Sequence, residues 1–170
     1  MLKESIKVRA PATVANVSCG FDCLGYAISD PADIVTITKN NDPGIEISLS
    51  GIKADTIPTV TENNTAGKGL LSLLEALNLK QGFKVHIEKG IHPGSGLGSS
   101  AASTVAAVFG ANILLGSPLK SEDLLIHCMK GEIVSSGFAH ADNGAPALLG
   151  GFILGRSYDP LDVLKLPIPE

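Results

Sequence analysis

The chain has 170 residues, of which 44% are hydrophobic, and it carries 13 Lys and Arg against 17 Asp and Glu, for a formal charge of −4 at pH 7. This length and composition suit a single folded domain with a buried core, or a large part of a bigger protein. The negative charge and the lack of any run of Lys and Arg argue against a nucleic acid or an acidic membrane surface as the partner.

The first half of the chain predicts several strands and one helix. Runs rich in β-branched residues at 6–9, 34–38 and 45–49 are separated by turn residues, a pattern typical of strands. A leucine stripe then predicts a helix that starts near Ala66 and packs on a sheet. Residues 83–88 alternate apolar and polar side chains, which predicts a strand with one buried face.

The second half predicts two helices and then two strands. Small residues from Ser100 to Leu115 indicate a closely packed helix, and a polar start at Ser121 opens an amphipathic helix that runs to about residue 135. Strands are predicted at residues 152–154 and 161–166. The whole pattern predicts an α+β fold with a mostly antiparallel sheet and packed helices.

Neither a membrane span nor a signal peptide is predicted. No stretch approaches the roughly 18 consecutive apolar residues of a spanning helix, and residues 1–5 lack the apolar segment of a signal peptide. The three cysteines, Cys19, Cys23 and Cys128, leave one unpaired in any disulfide scheme. We therefore expect reduced thiols and a cytoplasmic location.

The segment between the strand at 83–88 and the helix from Ser100 holds the strongest chemical signal. Glycines at positions 94, 96 and 98 place residues without side chains where backbone N–H groups converge on an anion. The helix that follows adds its positive dipole end, and Ser99 and Ser100 are its expected capping residues. The pattern favours a phosphate-binding loop over a flexible turn.

Other glycine motifs do not fit this loop. Counted from Gly94, the dinucleotide fingerprint needs a third glycine where Ser99 stands, and the Walker loop needs glycine and lysine where Ser99 and Ser100 stand. No serine here has glycine both two residues before and two residues after it, so the nucleophile elbow of a hydrolase is also missing. What is left is a phosphate loop without its own lysine.

Three separated motifs resemble those of the GHMP kinases, the family named after galactokinase, homoserine kinase, mevalonate kinase and phosphomevalonate kinase. Residues 9–22 resemble the N-terminal motif in the form that homoserine kinases carry it, and residues 140–151 resemble their region after the catalytic helix. The glycine loop resembles the ATP-binding signature. The resemblance implies the N-terminal domain of that family, with ATP bound by Pro93, Gly94, Ser95, Gly96, Leu97, Gly98, Ser99, Ser100, Ala101, Ala102 and Ser103.

The resemblance also implies an activity: a kinase that phosphorylates L-homoserine with ATP and Mg²⁺ on the route to threonine. Ser100 and Glu132 are the implied Mg²⁺ ligands, and Mg²⁺ usually takes only one or two protein oxygens. The implied homoserine contacts are Asn16, Asp22, His140 and Asp142, and the implied catalytic residues are Asp22, Ser100 and Glu132.

The role of Asp22 stays open at this point. Its carboxylate either binds the substrate or acts as general base, and a mechanism without a dedicated base is the alternative. Asn16 and Asp22 are expected in a loop, since neither a helix nor a strand period is evident around them. A Ser-His-Asp hydrolase is disfavoured for want of a nucleophile, and His86, His92 and His127 are expected to be structural.

Family members of this type have two domains and are much longer. We therefore expect residues 1–170 to form the N-terminal ATP-binding domain, with the C-terminal domain absent from this chain. Two alternatives to a homoserine-phosphorylating enzyme remain: a fragment that binds nucleotide or metabolite without turnover, and another small-molecule kinase of the GHMP family. Homodimer formation is left open.

Overall fold

The computed structural model describes residues 4–137 and 140–168. Six strands, four α-helices and two short 3₁₀ turns (residues 54–56 and 61–63) follow one another within these ranges. Their bounds are β1 Ser5–Val17, β2 Gly20–Asn40, β3 Ile45–Gly51, α1 Thr65–Ala76, β4 Gly82–Lys89, α2 Ser99–Leu114, α3 Ser121–Ser136, α4 Gly144–Leu149, β5 Phe152–Tyr158 and β6 Leu161–Leu166.

All six strands form one sheet with β2 at its centre. The order is β3-β4-β2-β5-β6, and β1 pairs with β2 along most of its length. Only β3 and β4 run parallel among these pairs, and the other pairs are antiparallel. The predicted α+β fold with a mostly antiparallel sheet is therefore confirmed.

The first two strands are much longer than predicted. The runs at 6–9 and 34–38 cover only parts of β1 and β2. The remaining stretches contain glycine, proline and polar residues, which weaken any local strand signal. They are extended because they pair with each other, as where Thr13 lies opposite Ala27 and Ala15 opposite Gly25.

The core lies between one face of the sheet and helices α1 and α2. Val35 and Ile37 on β2 and Val85 and Ile87 on β4 are at most 1% exposed. This burial confirms the predicted alternation on β4. Leucines of α1 and the small side chains of α2 cover these residues. Because its side chains are small, α2 packs close to the sheet, and this packing fixes the position of its first turn.

The helices and the last strands agree with the predictions in position, apart from one short helix. The helices α1, α2 and α3 begin within one residue of the expected starts, and β6 has the expected bounds. The short helix α4 was not predicted, because six residues are too few for a periodic pattern. No helix in the described part of the chain is both long and apolar enough to cross a membrane.

Candidate functional site

The glycine loop joins β4 to α2, as predicted. Gly94, Gly96 and Gly98 all have left-handed backbone conformations, with φ of 76°, 78° and 62°. A Cβ atom on Gly94 or Gly96 would meet nothing within 4 Å, so the backbone at these two positions faces open space. Glycine is the residue that adopts this conformation without steric cost. At Gly94 and Gly96 the loop therefore exposes its backbone, without side chains, to a ligand in front of it.

Gly98 has a different role from the other two glycines. A Cβ atom there would clash with Thr13 Oγ1 and would lie 2.8 Å from Asn143 Oδ1. These two side chains bond each other, since the Thr13 hydroxyl donates to Asn143 Oδ1 at 2.7 Å. The Thr13 backbone N–H also donates to the Leu97 carbonyl at 3.1 Å. The third glycine thus allows the loop to dock on β1.

The expected capping role of Ser99 and Ser100 is wrong. Gly98 is the residue before the first helical turn of α2, and no side chain caps that turn. The Ser99 hydroxyl donates instead to the Ile91 carbonyl at 3.0 Å, and the Ser100 hydroxyl donates to Glu132 Oε2 at 2.6 Å. The N–H groups of the first turn therefore remain available to an anion in front of the loop.

The loop forms one wall of a cavity of about 700 Å³. Most of the predicted ATP contacts line it, while Leu97, Ala101 and Ala102 do not, because their side chains pack toward the core. The lining also includes aliphatic residues that were not predicted, since they come from separate turns and strands: Leu49, Ile57, Pro58 and Ile87.

Ser100 and Glu132 both line this cavity and bond each other there. Thr104 Oγ1 also lies 3.3 Å from Glu132 Oε1, so hydroxyls from α2 reach both carboxylate oxygens. Burial raises the pKa of Glu132, the hydroxyl bonds and Lys89 oppose this change, and Asp142 reinforces it. A hydroxyl and a carboxylate beside an anion-binding loop are the hard oxygen donors that suit Mg²⁺, so the residues present fit that metal.

Asn16 and Asp22 lie in strands and not in a loop, so that expectation is wrong. They stand at the facing ends of β1 and β2, and both have a left-handed φ of 57°. The Asn16 side chain holds this end together by accepting the Asp22 backbone N–H at 2.7 Å. Asn16 also lines the cavity, so it connects the nucleotide side of the site to Asp22.

His140 joins Asp22 from a distant part of the sequence. Its Nδ1 atom lies 3.3 Å from Asp22 Oδ1, and both side chains are about one-third exposed. Tyr158, on β5, stacks on the His140 ring at a centroid distance of 5.7 Å and donates its hydroxyl to the Asp22 carbonyl. Tyr158 was missed in the sequence because no motif surrounds it. We name these three residues the hairpin-end cluster.

Asp142 lies behind this cluster and is 6% exposed. Burial raises its pKa; the charge of His140 opposes the change and that of Asp22 adds to it. The charge of Asp142 also raises the pKa of Glu132, so Asp142 is coupled electrostatically both to Asp22 and to Glu132. The predicted homoserine contacts are therefore brought together: Asn16 lines the cavity, and Asp22, His140 and Asp142 lie beside it.

Two other histidines form hydrogen bonds outside this arrangement. His127 is buried and bonds the Ser72 hydroxyl at 2.8 Å between α3 and α1, and burial lowers its pKa. His86 bonds Ser48 and Ser50 on the neighbouring strand. The three cysteines are free.

Comparisons with known proteins agree with this geometry. Residues 64–151 match the GHMP kinases N terminal domain. The chain is 48% identical over 165 residues to homoserine kinase of Methanococcus vannielii, which covers 97% of this chain and 55% of that protein. It is 43% identical over 170 residues to homoserine kinase of Chloroherpeton thalassium, which covers 94% of this chain and 53% of that protein. The chain thus spans about half the length of the curated relatives it matches.

Solved structures give the same result. The crystal structure of homoserine kinase from Cytophaga hutchinsonii superposes with a TM-score of 0.94 at 51% identity and covers 99% of this chain and 54% of that one. The mevalonate kinase of Methanococcus jannaschii shares the fold at 18% identity, with a TM-score of 0.72, 95% of this chain and 56% of that one covered. The chain, with its glycine loop between β4 and α2, therefore belongs to the GHMP kinase family and corresponds to the N-terminal domain of that family.

Proposed function

We propose that this chain is the nucleotide-binding half of a kinase that transfers the γ-phosphoryl group of ATP to the hydroxyl of L-homoserine. The single observation that carries the proposal is the juxtaposition of a bare, left-handed glycine loop with the Ser100–Glu132 pair at 2.6 Å. The names of the relatives at 43–48% identity support homoserine as the substrate.

The cavity offers two different surfaces for the two ends of ATP. The aliphatic side chains of Leu49, Ile57 and Pro58 suit the flat, apolar face of adenine. The open backbone at Gly94 and Gly96 and the free first turn of α2 suit the phosphates, because backbone N–H groups and the helix dipole both stabilise negative charge. This orientation directs the γ-phosphate toward Ser100 and Glu132.

Ser100 and Glu132 are the proposed ligands of Mg²⁺. When bound, Mg²⁺ supplies positive charge that neutralises the phosphate oxygens during transfer. Glu132 loses its proton to act as a ligand, and its raised pKa means that this proton is released less readily than from an exposed glutamate. The short bond from Ser100 keeps the carboxylate oriented toward the loop.

The hairpin-end cluster, together with Asn16 and Asp142, is the proposed homoserine site. An α-ammonium group needs a nearby negative charge, and Asp22 and Asp142 supply two carboxylates beside the cavity. Asn16 and His140 add polar partners for a hydroxyl or a carboxylate. Mevalonate and sugars carry no ammonium group, so this cluster favours an amino-acid substrate over theirs.

The transfer itself forms a bond from the homoserine hydroxyl oxygen to the γ-phosphorus and breaks the bond from that phosphorus to the β,γ-bridging oxygen, which leaves with ADP. The hydroxyl proton passes either to Asp22 or, without a dedicated base, to the transferred phosphoryl group. The chain's own residues position the two reactants in both cases, and positioning with charge stabilisation accounts for most of the catalysis in phosphoryl transfer.

ADP release coupled to a reporter enzyme tests the proposal. We expect ADP to appear only with homoserine, ATP and Mg²⁺ together, and not when mevalonate or a sugar replaces homoserine. A full-length homoserine kinase run in parallel is the positive control. Binding of ATP without any ADP release would instead support the alternative of a nucleotide-binding fragment, and no ATP binding at all would overturn both.

A further inference from the structure

A buried carboxylate lies beneath the glycine loop and belongs to none of the motifs described above. Asp33, on β2, has no exposed surface. Its Oδ1 atom accepts the backbone N–H groups of Gly90 and Ile91, each at 3.0 Å. These two residues come directly before the loop at 92–98, so one oxygen of Asp33 holds the entrance of the loop.

The second oxygen of Asp33 holds the exit. Oδ2 accepts from the Lys89 ammonium and from the Ser103 hydroxyl, the latter at 2.7 Å. The Lys89 ammonium also donates to the Ser99 carbonyl and to Ser103 Oγ, each at 2.8 Å. Ser99 and Ser103 lie in the first turns of α2, directly after the loop. All three protons of the ammonium are therefore used within this buried group.

Removing the Asp33 and Lys89 charges from water costs free energy, which their mutual attraction and hydrogen bonds must offset. Desolvation lowers the pKa of Lys89, and the charge of Asp33 and its hydrogen bond oppose this change. A well-packed apolar pair often stabilises a protein as much as a buried ion pair does, so stability alone does not explain this pair. An ion pair differs from an apolar pair in that its hydrogen bonds fix the positions of its partners. Here those partners are the two ends of one exposed loop.

The apex of the loop has little support from the rest of the chain. Gly94 and Gly96 face open space, and the Ser95 N–H and Leu97 N–H bond only within the loop, to the His92 carbonyl and to Ser95 Oγ. In the described part of the chain, the loop contacts β1 where Leu97 and Gly98 meet Thr13, next to the loop's exit. The direction of the apex therefore depends on where the two ends of the loop are held. We propose that Asp33 is a positioning residue for nucleotide binding: it acts through Gly90, Ile91 and Lys89 to keep the loop's backbone N–H groups directed into the cavity. This inference rests on the proposed binding of ATP at that loop.

Asp33→Asn tests the inference with almost no change in shape. The amide oxygen still accepts from Gly90 and Ile91, but the amide N–H₂ now faces the Lys89 ammonium, so donor meets donor there, and the Ser103 hydroxyl loses the acceptor it had in Asp33. Because the variant loses charge-assisted hydrogen bonds that hold the loop, we expect the Kd for ATP with Mg²⁺ to rise about tenfold or more. Asp30→Asn, an exposed carboxylate on the same strand, is the matched control and leaves the Kd unchanged.

Adenosine separates a positioning role from a general loss of stability. It carries the base and ribose but no phosphate, so it does not use the loop. We expect the adenosine Kd of Asp33→Asn, measured by NMR titration, to stay within about twofold of the wild type while the ATP Kd rises. Equal increases for both ligands, or an unchanged ATP Kd in a folded variant, would overturn the inference.

Ser99→Ala decides the matter if Asp33→Asn does not fold. The Ser99 hydroxyl joins the two ends of the loop by donating to Ile91, and the substitution keeps a small residue in α2. We expect a rise of about threefold in the ATP Kd with adenosine binding unchanged, and an unaltered ratio of the two would overturn the inference. A wild-type chain that binds neither ligand would refute the proposed function itself.

Discussion

The glycine loop and the end of the β1–β2 hairpin both hold their backbones in left-handed conformations, but they do so with opposite kinds of residue. The loop uses Gly94, Gly96 and Gly98, whereas the hairpin end uses Asn16, Ser18 and Asp22, with φ between 54° and 57°. Asn and Asp tolerate this conformation better than other residues with side chains, yet it still costs about 1 kcal/mol or more.

The difference reflects what each region presents to a ligand. The loop presents backbone, so a side chain at Gly94 or Gly96 would occupy the open space in front of it. The hairpin end presents the carboxylate and amide groups themselves, and the strained backbone is kept because Asn16 and Tyr158 bond to Asp22. Backbone strain of this kind concentrates at functional sites. The two regions should therefore respond differently to substitution.

The largest expected effect is that of Gly98→Val. A β-branched side chain at a left-handed position would also clash with Thr13 and Asn143, so we expect a loss of about 3 kcal/mol or more in the free energy of unfolding. Gly96→Ala, which faces open space, should lose about 1 kcal/mol and still weaken ATP binding. Urea denaturation and ATP titration measure both. Equal losses of stability would contradict the distinct roles of the two glycines.

Glu132→Gln should remove the effect of Mg²⁺ on ATP binding. The amide keeps the shape of the side chain but not the charge that attracts the metal, so we expect the Mg²⁺-dependent gain in ATP affinity to fall by about tenfold. Titrations of ATP with and without Mg²⁺ provide the measurement. Glu122→Gln, at an exposed position on the same helix, should behave as the wild type. A full Mg²⁺ response in Glu132→Gln would exclude this residue as a ligand.

Asp22→Asn should weaken homoserine binding and leave ATP binding unchanged. Charge-assisted hydrogen bonds contribute about 1.5–3 kcal/mol, so the KM or Kd for homoserine should rise roughly 10- to 100-fold. If Asp22 is instead the general base, kcat collapses while KM stays nearly constant. Values of both constants within twofold of the wild type would exclude each role.

Tyr158→Phe should have a smaller effect at the same site. It removes the bond to the Asp22 carbonyl but keeps the ring that stacks on His140. We expect a rise of about three- to tenfold in the homoserine Kd, since one hydrogen bond contributes about 1 kcal/mol. Tyr26→Phe on β2 is the control, and its ring contacts Phe152. Identical homoserine affinity in both variants would show that the Tyr158 hydroxyl has no positioning role.

The smallest expected effect is a pH dependence of stability. Burial raises the pKa of Glu132 above its ordinary value of 4.5, so the folded chain holds this proton more tightly than the unfolded chain does. The stability contributed by the group is therefore complete below pH 4.5 and is lost as the pH rises through the raised pKa. Denaturation at a series of pH values without Mg²⁺ should show this fall, and Glu132→Gln should reduce it. An equal fall in both proteins would assign the dependence to Asp142 or another group.

Short, contiguous sequence patterns were enough to predict the glycine loop, the strand β4 before it and the helix α2 after it. The glycines of the loop, the alternation on β4 and the small residues of α2 stand next to each other along the chain, and each reflects a backbone requirement that a short segment meets alone. The same holds for β6, whose bounds were predicted without error. The family, too, was recognisable from three short motifs.

Tertiary structure alone decided the rest. Residues 10–17 and 20–33 become strands because they pair with each other, although their own composition argues against it. Asp22, His140 and Tyr158 come together from distant parts of the sequence. Ser99 and Ser100 do not cap α2, because their hydroxyls donate to the Ile91 carbonyl and to Glu132. A side chain's partner depends on which segments the sheet brings alongside it, and that long-range choice has no counterpart in the local pattern of residues.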